Sequence, residues 1–206
     1  MGSKERKERE RQEMHNLILD TAGRIVREEG LENLSVRKIA NAIDYSPAII
    51  YHYFKDKDAI VNQLLQSGYR KIVGALASVP LTGNPPLERL RLLIRAYIDA
   101  ALQMPDEFLA VQLNSTPAVL EVTSWLFEGA AAKKPALEIL VNCLLEIYGD
   151  RQVDGRRLEL TAQVISVSTF GLITRLIVEK NVTEEERAAL IEHFTACIVN
   201  GIVRSQ

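Results

Sequence analysis

From Met14 the apolar residues fall at Met14, Leu17, Ile18, Ala22, Ile25 and Val26, the i, i+3, i+4, i+7 spacing of one helical face. Thr21 is the one polar residue on that face. Gly30 follows, the residue type that most easily takes the positive φ at a helix end. A second apolar set, Val36, Ile39, Ala40 and Ile43, comes after Ser35. The serine hydroxyl suits an N-cap, and the set predicts a helix of about two turns. Asp44-Tyr45-Ser46 interrupts it. Pro47 then opens a third short helix at the first-turn position that proline tolerates, with Ile50 and Phe54 as its buried edge. Asp56 caps a long fourth helix running to about Val79.

Pro80-Leu-Thr-Gly-Asn-Pro-Pro86 is the clearest linker. Beyond it, helical patterns cover 86–103, 106–113, 117–132, 136–148, 154–180 and 183–204, punctuated by Pro105, Pro117, Pro135 and Gly149. Thr183 and Glu186 have capping-box spacing. Strand-type alternation is absent, so the expected fold class is all-α. Three segments follow: 1–13, a flexible charged arm or a helix extension; 14–60, a three-helix domain; and 61–206, a larger helical domain.

Charge limits the options. The chain of 206 residues carries a net charge of −2, unlike a strongly basic coat protein that binds nucleic acid everywhere. The first sixty residues balance 11 Lys/Arg against 11 Asp/Glu, so any contact with nucleic acid must come from a local patch. Met1 to Met14 has no apolar leader, and no run of eighteen uncharged apolar residues occurs. The expectation is no membrane span and a cytoplasmic protein. Cys143 and Cys197 lie in apolar helical patterns without CxxC spacing, which reads as two buried thiols in a reducing compartment, with no metal site and no cofactor.

The chemistry concentrates in residues 31–60, LENLSVRKIANAIDYSPAIIYHYFKDKDAI. Two short helices across a tight turn make a helix-turn-helix, with the motif at 35–54. The second helix of such a pair enters the major groove while the first crosses the backbone. Gly30, Ser35, Ile39-Ala40 and the run Tyr51-His52-Tyr53-Phe54 followed by Lys57 resemble the N-terminal DNA-binding domain of the TetR/AcrR family of transcriptional regulators. The likeness covers residues 12–65 or so.

That resemblance implies roles position by position. Ser35, Tyr51, His52 and Lys57 stand where the family contacts phosphate, with Arg37 and Lys38 near that surface; such contacts fix register without reading sequence. Base reading falls to Ser46, Pro47, Ala48 and Ile49, with Val36 as an extra reader. Tyr51 packed on the first helix, and His52 as a solvated surface histidine, are the competing assignments. The chain departs from the family where Gly-Val-Ser becomes Asp44-Tyr45-Ser46, and where Gly-Thr or Gly-Ser becomes Ala48-Ile49. The reading tip is therefore apolar, suited to thymine methyls and poor in hydrogen bonds.

The resemblance also makes 61–206 a ligand-binding and dimerisation domain. The helix at 154–180 is apolar nearly all round, and with 183–204 it is the expected homodimer contact. Tyr97, Met104, Phe108, Gln112, Trp125, Phe127 and Phe170, with Asn114, are candidates to line a pocket for a small apolar effector. No nucleophile elbow, HExxH or phosphate-cradling loop occurs, so no catalytic residue is assigned and an enzyme is not expected. The function implied is a DNA-binding repressor released from a double-stranded operator by a small molecule. The alternative is a DNA-bound adaptor whose C-terminal domain binds a protein.

Overall fold

The charged segment ahead of Met14 is helical. In the computed structural model, which describes residues 2–113, 117–149 and 153–204, α1 runs Ser3–Glu29. Its first turns are held by pairs four residues apart, Arg6–Glu10 at 3.4 Å and Arg9–Glu13 at 3.5 Å. The Gly2 N–H donates to the Glu5 carboxylate at 2.7 Å, a charge-assisted bond at the positive end of the helix dipole. Residues 3–13 are thus a helix extension. The helix stops at Gly30, φ 89°, whose N–H closes on the Val26 carbonyl. The positive φ favours glycine there, while the atoms nearest an added side chain belong to the exposed Glu32 carboxylate, which can move aside.

A 3-10 turn (Leu31–Asn33) leads to α2 (Val36–Ala42), α3 (Pro47–Tyr53) and α4 (Lys57–Ala77). Then come α5 (Pro86–Leu102), α6 (Pro105–Gln112), α7 (Pro117–Thr123), α8 (Pro135–Tyr148), α9 (Gly155–Val178) and α10 (Glu184–Arg204). Every described element is helical, as the periodicity implies. The Thr183 hydroxyl accepts the Glu186 N–H at 3.2 Å and starts α10.

The residues cluster into two units. The first holds residues 1–68 together with 106–123, and the second holds 69–105 and 124–206. A division at 60/61 is therefore not what the packing gives: α6 and α7 join the N-terminal unit. The reason is apolar. Val119 is buried in the same core as Ile18, Ile25, Leu34, Ile39 and Ile50, and Ala110 packs against it. Each fully buried aliphatic side chain of this kind contributes roughly 1.5–3 kcal/mol. Arg27 of α1 and Glu107 of α6 add an ion pair at 2.5 Å. On α1 the buried face follows the apolar spacing, Thr21 included, except at Leu17, which is 42% exposed.

In the second unit α5 packs against α8, α9 and α10, and α8 against α9, around Leu90, Ile98, Leu144 and Ile173. Arg89 is buried on α5 and reaches Glu146 of α8 at 2.6 Å. Beside this pair the Cys143 thiol faces the Pro86 carbonyl at 3.5 Å. Burial pushes that thiol up to about 11, outweighing the attraction of Arg89. Cys197 is exposed, which corrects the expectation of two buried thiols. α9 is long and apolar enough to cross a membrane by length and composition, with mean hydropathy 1.5 over its most apolar stretch. The same helix supplies buried polar side chains to its own unit.

Those side chains explain a second correction. The helix expected over 117–132 ends at Thr123. From there to Lys134 the chain is a loop: Ala130, Lys133 and Lys134 N–H groups close local turns on the Phe127 and Ala130 carbonyls, and other backbone groups bond to α9. The Glu159 carboxylate accepts the Gly129 N–H at 3.0 Å and the Ala131 N–H at 2.9 Å. The Gln163 amide donates to the Trp125 and Phe127 carbonyls at 2.8 and 3.0 Å. Two polar residues one turn apart thus satisfy four backbone groups, two N–H and two carbonyls, that a helix would have paired with each other. Arg156 pairs with Glu159 at 2.9 Å. These bonds hold the Glu159 carboxyl below the usual carboxylate range, the Ala131 N–H foremost, against the opposing effect of burial.

Candidate nucleic-acid interface

Helix α2 starts where Ser35, in extended conformation, accepts the Lys38 N–H at 3.2 Å. It buries Val36, Ile39 and Ala40. Val36 is only 8% exposed and belongs to the core. The assignment of Val36 as a base reader is therefore corrected, because the first turn of α2 turns that side chain inward. Arg37 and Ser35 point to solvent. Lys38 is half-buried and its ammonium pairs with Glu29 at the end of α1.

The turn between α2 and α3 is closed by N–H groups of Ile43, Asp44 and Tyr45, the last reaching the Ala40 carbonyl at 2.9 Å. Asp44 has φ 58° and is the one non-glycine residue with positive φ among those described. This is where the resembled family commonly has glycine. The short polar side chain of aspartate tolerates the left-handed region at modest cost, so the sequence departure preserves the turn.

Pro47 opens α3 at its first position. One edge is core: Ile50 is fully buried and Phe54 nearly so, with its ring stacked on His15 of α1 at 4.8 Å. The opposite face is open. Ser46, Ala48 and His52 are exposed, Ile49 is 36% exposed and Tyr51 is 56% exposed, while Pro47 is half-buried. Tyr51 therefore does not pack away on α1. His52 meets Tyr53 edge-on at 5.4 Å, which steadies the ring without covering it. Asp56 caps α4 by accepting the Ala59 N–H at 2.8 Å, and Lys57 is the first residue of that helix. The bracing of α3 between α2 and α1 leaves a short, exposed helix edge carrying hydroxyls, a histidine and an apolar tip. Such an edge can enter a major groove.

The effector-pocket candidates are distributed over both units. Phe108 and Gln112 lie in the first unit; Tyr97, Met104, Trp125, Phe127 and Phe170 lie in the second. Asn114 lies outside the described residues. Phe127 is 36% exposed with the Lys133 ammonium 5.7 Å above its ring, the position of a surface aromatic. Met104 and Phe108 are buried. An open cleft of about 580 Å³ occurs in the first unit, lined by residues including Val26, Arg27, Leu31, Lys57, Val61 and Leu109, and by none of the pocket candidates. Among the described residues no group of three or more His, Cys, Asp or Glu is placed to hold a metal. Glu159 and Gln163 were not singled out from the sequence; their signal is two polar residues, one turn apart, inside an apolar helix.

Comparison with known proteins supplies independent information. Residues 18–64 match the family model described as bacterial regulatory proteins, tetR family. The chain is 25% identical over 194 residues to the HTH-type transcriptional regulator YuxN of Bacillus subtilis (strain 168), covering 92% of this chain and 64% of that protein. It is 29% identical over 97 residues to the HTH-type transcriptional regulator BetI of Brucella suis biovar 1, covering 47% of this chain and 48% of that one. The matched stretches thus span less than two thirds of these relatives. Among solved structures, the fatty acid degradation regulator FadR from Bacillus halodurans superposes with a TM-score of 0.70 at 22% identity, over 90% of this chain and 94% of that one. A TetR family transcriptional regulator, PfmR from Thermus thermophilus, gives 0.64 at 20% identity, over 89% and 97%. These superpositions show that the all-helical fold is shared.

Proposed function

We propose that the chain, a member of the tetR family of bacterial regulatory proteins by its residues 18–64, is a DNA-binding transcriptional repressor acting in the cytoplasm. It binds a pseudo-palindromic operator as a homodimer and releases it when a small apolar molecule binds the helical part. The observation that carries the reading is the exposed edge of α3, with Ser46, Ala48, Ile49, Tyr51 and His52 open while Ile50 and Phe54 anchor the helix from behind. Arg37, Tyr51, His52 and Lys57 hold phosphates, and Ser46 to Ile49 meet base edges.

The homodimer draws support from α9. Leu160, Val164, Val167 and Val178 are each more than 40% exposed on it, an apolar strip that gains from being covered. α10 adds Leu190, 41% exposed. A two-fold contact of α9 and α10 with their copies fixes the distance between the two α3 edges, and half-sites then recur about one helical turn of DNA apart or a multiple of it.

Titrating the chain into labelled DNA from upstream of its own gene, followed by anisotropy, tests the reading. Tyr51→Ala and Lys57→Ala should each weaken binding across sequences, and Lys57→Ala should also lower the salt slope by roughly one for each phosphate it no longer neutralises. Unchanged binding by both variants at several salt concentrations sinks it.

A further inference from the structure

On α10 the Cys197 sulfur lies 3.6 Å from Nε2 of His193, one helical turn away, and both residues are exposed. Zinc bonds of about 2.3 Å to sulfur and 2.0–2.1 Å to nitrogen, at a tetrahedral angle, place those two atoms about 3.6 Å apart. The pair thus already spans one edge of a zinc tetrahedron. One chain supplies only this edge, since no third His, Cys, Asp or Glu joins it among the described residues.

The surroundings suggest where the other edge comes from. Ala189, Leu190, Asn200 and Gly201 continue the same exposed face of α10, and Ala196 between them is half-buried. Between Ala189 and Gly201 the strip has no acidic or basic side chain besides His193 and is mostly small, with Glu186 a turn before it, so a second copy can approach closely about a two-fold axis at its centre. An isologous contact repeats every residue, so a second His193 and Cys197 complete a Cys2His2 set. We infer that the α10 face built on His193 and Cys197 forms half of a zinc site shared between two copies of this chain. The inference rests on the homodimer reading above. Binding takes the imidazole lone pairs and releases one proton from each thiol to solvent.

Cobalt(II) is the probe, added to the full-length chain kept reduced with a phosphine, with sedimentation run on the same samples. The expected result is a dimer that saturates at one cobalt per two chains, with thiolate-to-cobalt charge-transfer and tetrahedral d–d bands that zinc abolishes. Cys197→Ser and His193→Ala should each remove the bands while circular dichroism and the dimer persist. A dimer without such bands overturns the site and leaves the dimer standing, as does cobalt binding indifferent to Cys197→Ser. A monomer at the same concentrations overturns the homodimer reading itself, and the shared site with it.

Discussion

Glu159→Ala should loosen the loop between α7 and α8 without melting the fold. The substitution removes one acceptor from the Ala131 N–H, which is half-buried, and one from the Gly129 N–H, which is exposed. The exposed donor turns to water and loses roughly 0.5–1.5 kcal/mol, whereas a covered donor left unpaired costs roughly 1–3 kcal/mol. The Arg156 pair adds little at its partly exposed position. The loop should therefore weaken by about 2–4 kcal/mol. The chain has one tryptophan, Trp125, and its carbonyl is tied to α9 by Gln163, so tryptophan emission reports on this loop. The sign of the pH effect follows from the lowered carboxyl. The stabilisation is complete above the ordinary glutamate value of about 4.3, and fades as pH falls through the lower folded value. Trp125 emission in the wild type should hold steady down to about pH 5 and shift below about pH 4, ahead of any loss of helical circular dichroism. In Glu159→Gln the loop is looser at neutral pH and that acid step is absent. The same acid midpoint in Glu159→Gln and wild type refutes the reasoning.

Three further outcomes follow from the same interactions. Asp44→Val puts a β-branched residue at φ 58°, and urea unfolding should show a loss of roughly 1–2 kcal/mol or more, while Asp44→Gly stays close to wild type. Glu146→Ala leaves the buried Arg89 guanidinium without its carboxylate; because Glu146 is half exposed, the loss in thermal unfolding should be on the order of 1–3 kcal/mol, and Arg89→Met should restore part of it in the double variant. Glu29→Gln frees the Lys38 ammonium, and DNA titrations should show tighter binding with a salt slope steeper by up to about one per half-site.

The N-terminal helices were legible because local signals agree there. Ser35, Pro47, Asp56 and Gly30 are each a cap or stop whose mechanism lies within four residues, and the structure uses all four that way. What the sequence hid was non-local. The loop after Thr123 has helix-forming composition, and only the carboxylate and amide of Glu159 and Gln163, some thirty residues on, show why it is not helical. Val36 did carry a mark of direction, since it opens the apolar set Val36, Ile39, Ala40 and Ile43, and the packing buries it with Ile39 and Ala40; the base-reading assignment came from resemblance and ran against that pattern. The membership of α6 and α7 in the first unit rests likewise on Val119 and Ala110 meeting a core formed by residues far back in the chain. The phosphate-contact assignments came from resemblance, and the structure adds exposure at Ser35, Arg37, Tyr51 and His52.

On the proposed reading, the neutral charge of the N-terminal segment shapes how DNA is selected. Lys38 is held by Glu29, which leaves Arg37, Lys55 and Lys57 as the cations nearest the motif. Few cations mean little counterion release, and so weak attachment to arbitrary DNA. The apolar tip, Pro47-Ala48-Ile49, cannot make the paired hydrogen bonds by which arginine or glutamine identify a base. Discrimination must then come from thymine methyls, from Ser46, and from the cost of bending a sequence until Tyr51 and Lys57 reach phosphate together. The fixed spacing of two half-sites multiplies that cost, because a sequence too stiff to present both is held poorly at each end. A repressor built this way draws its selectivity from the dimer geometry more than from either helix edge alone. On the same reading, a small molecule would release the operator by favouring a dimer whose two edges no longer match the groove spacing.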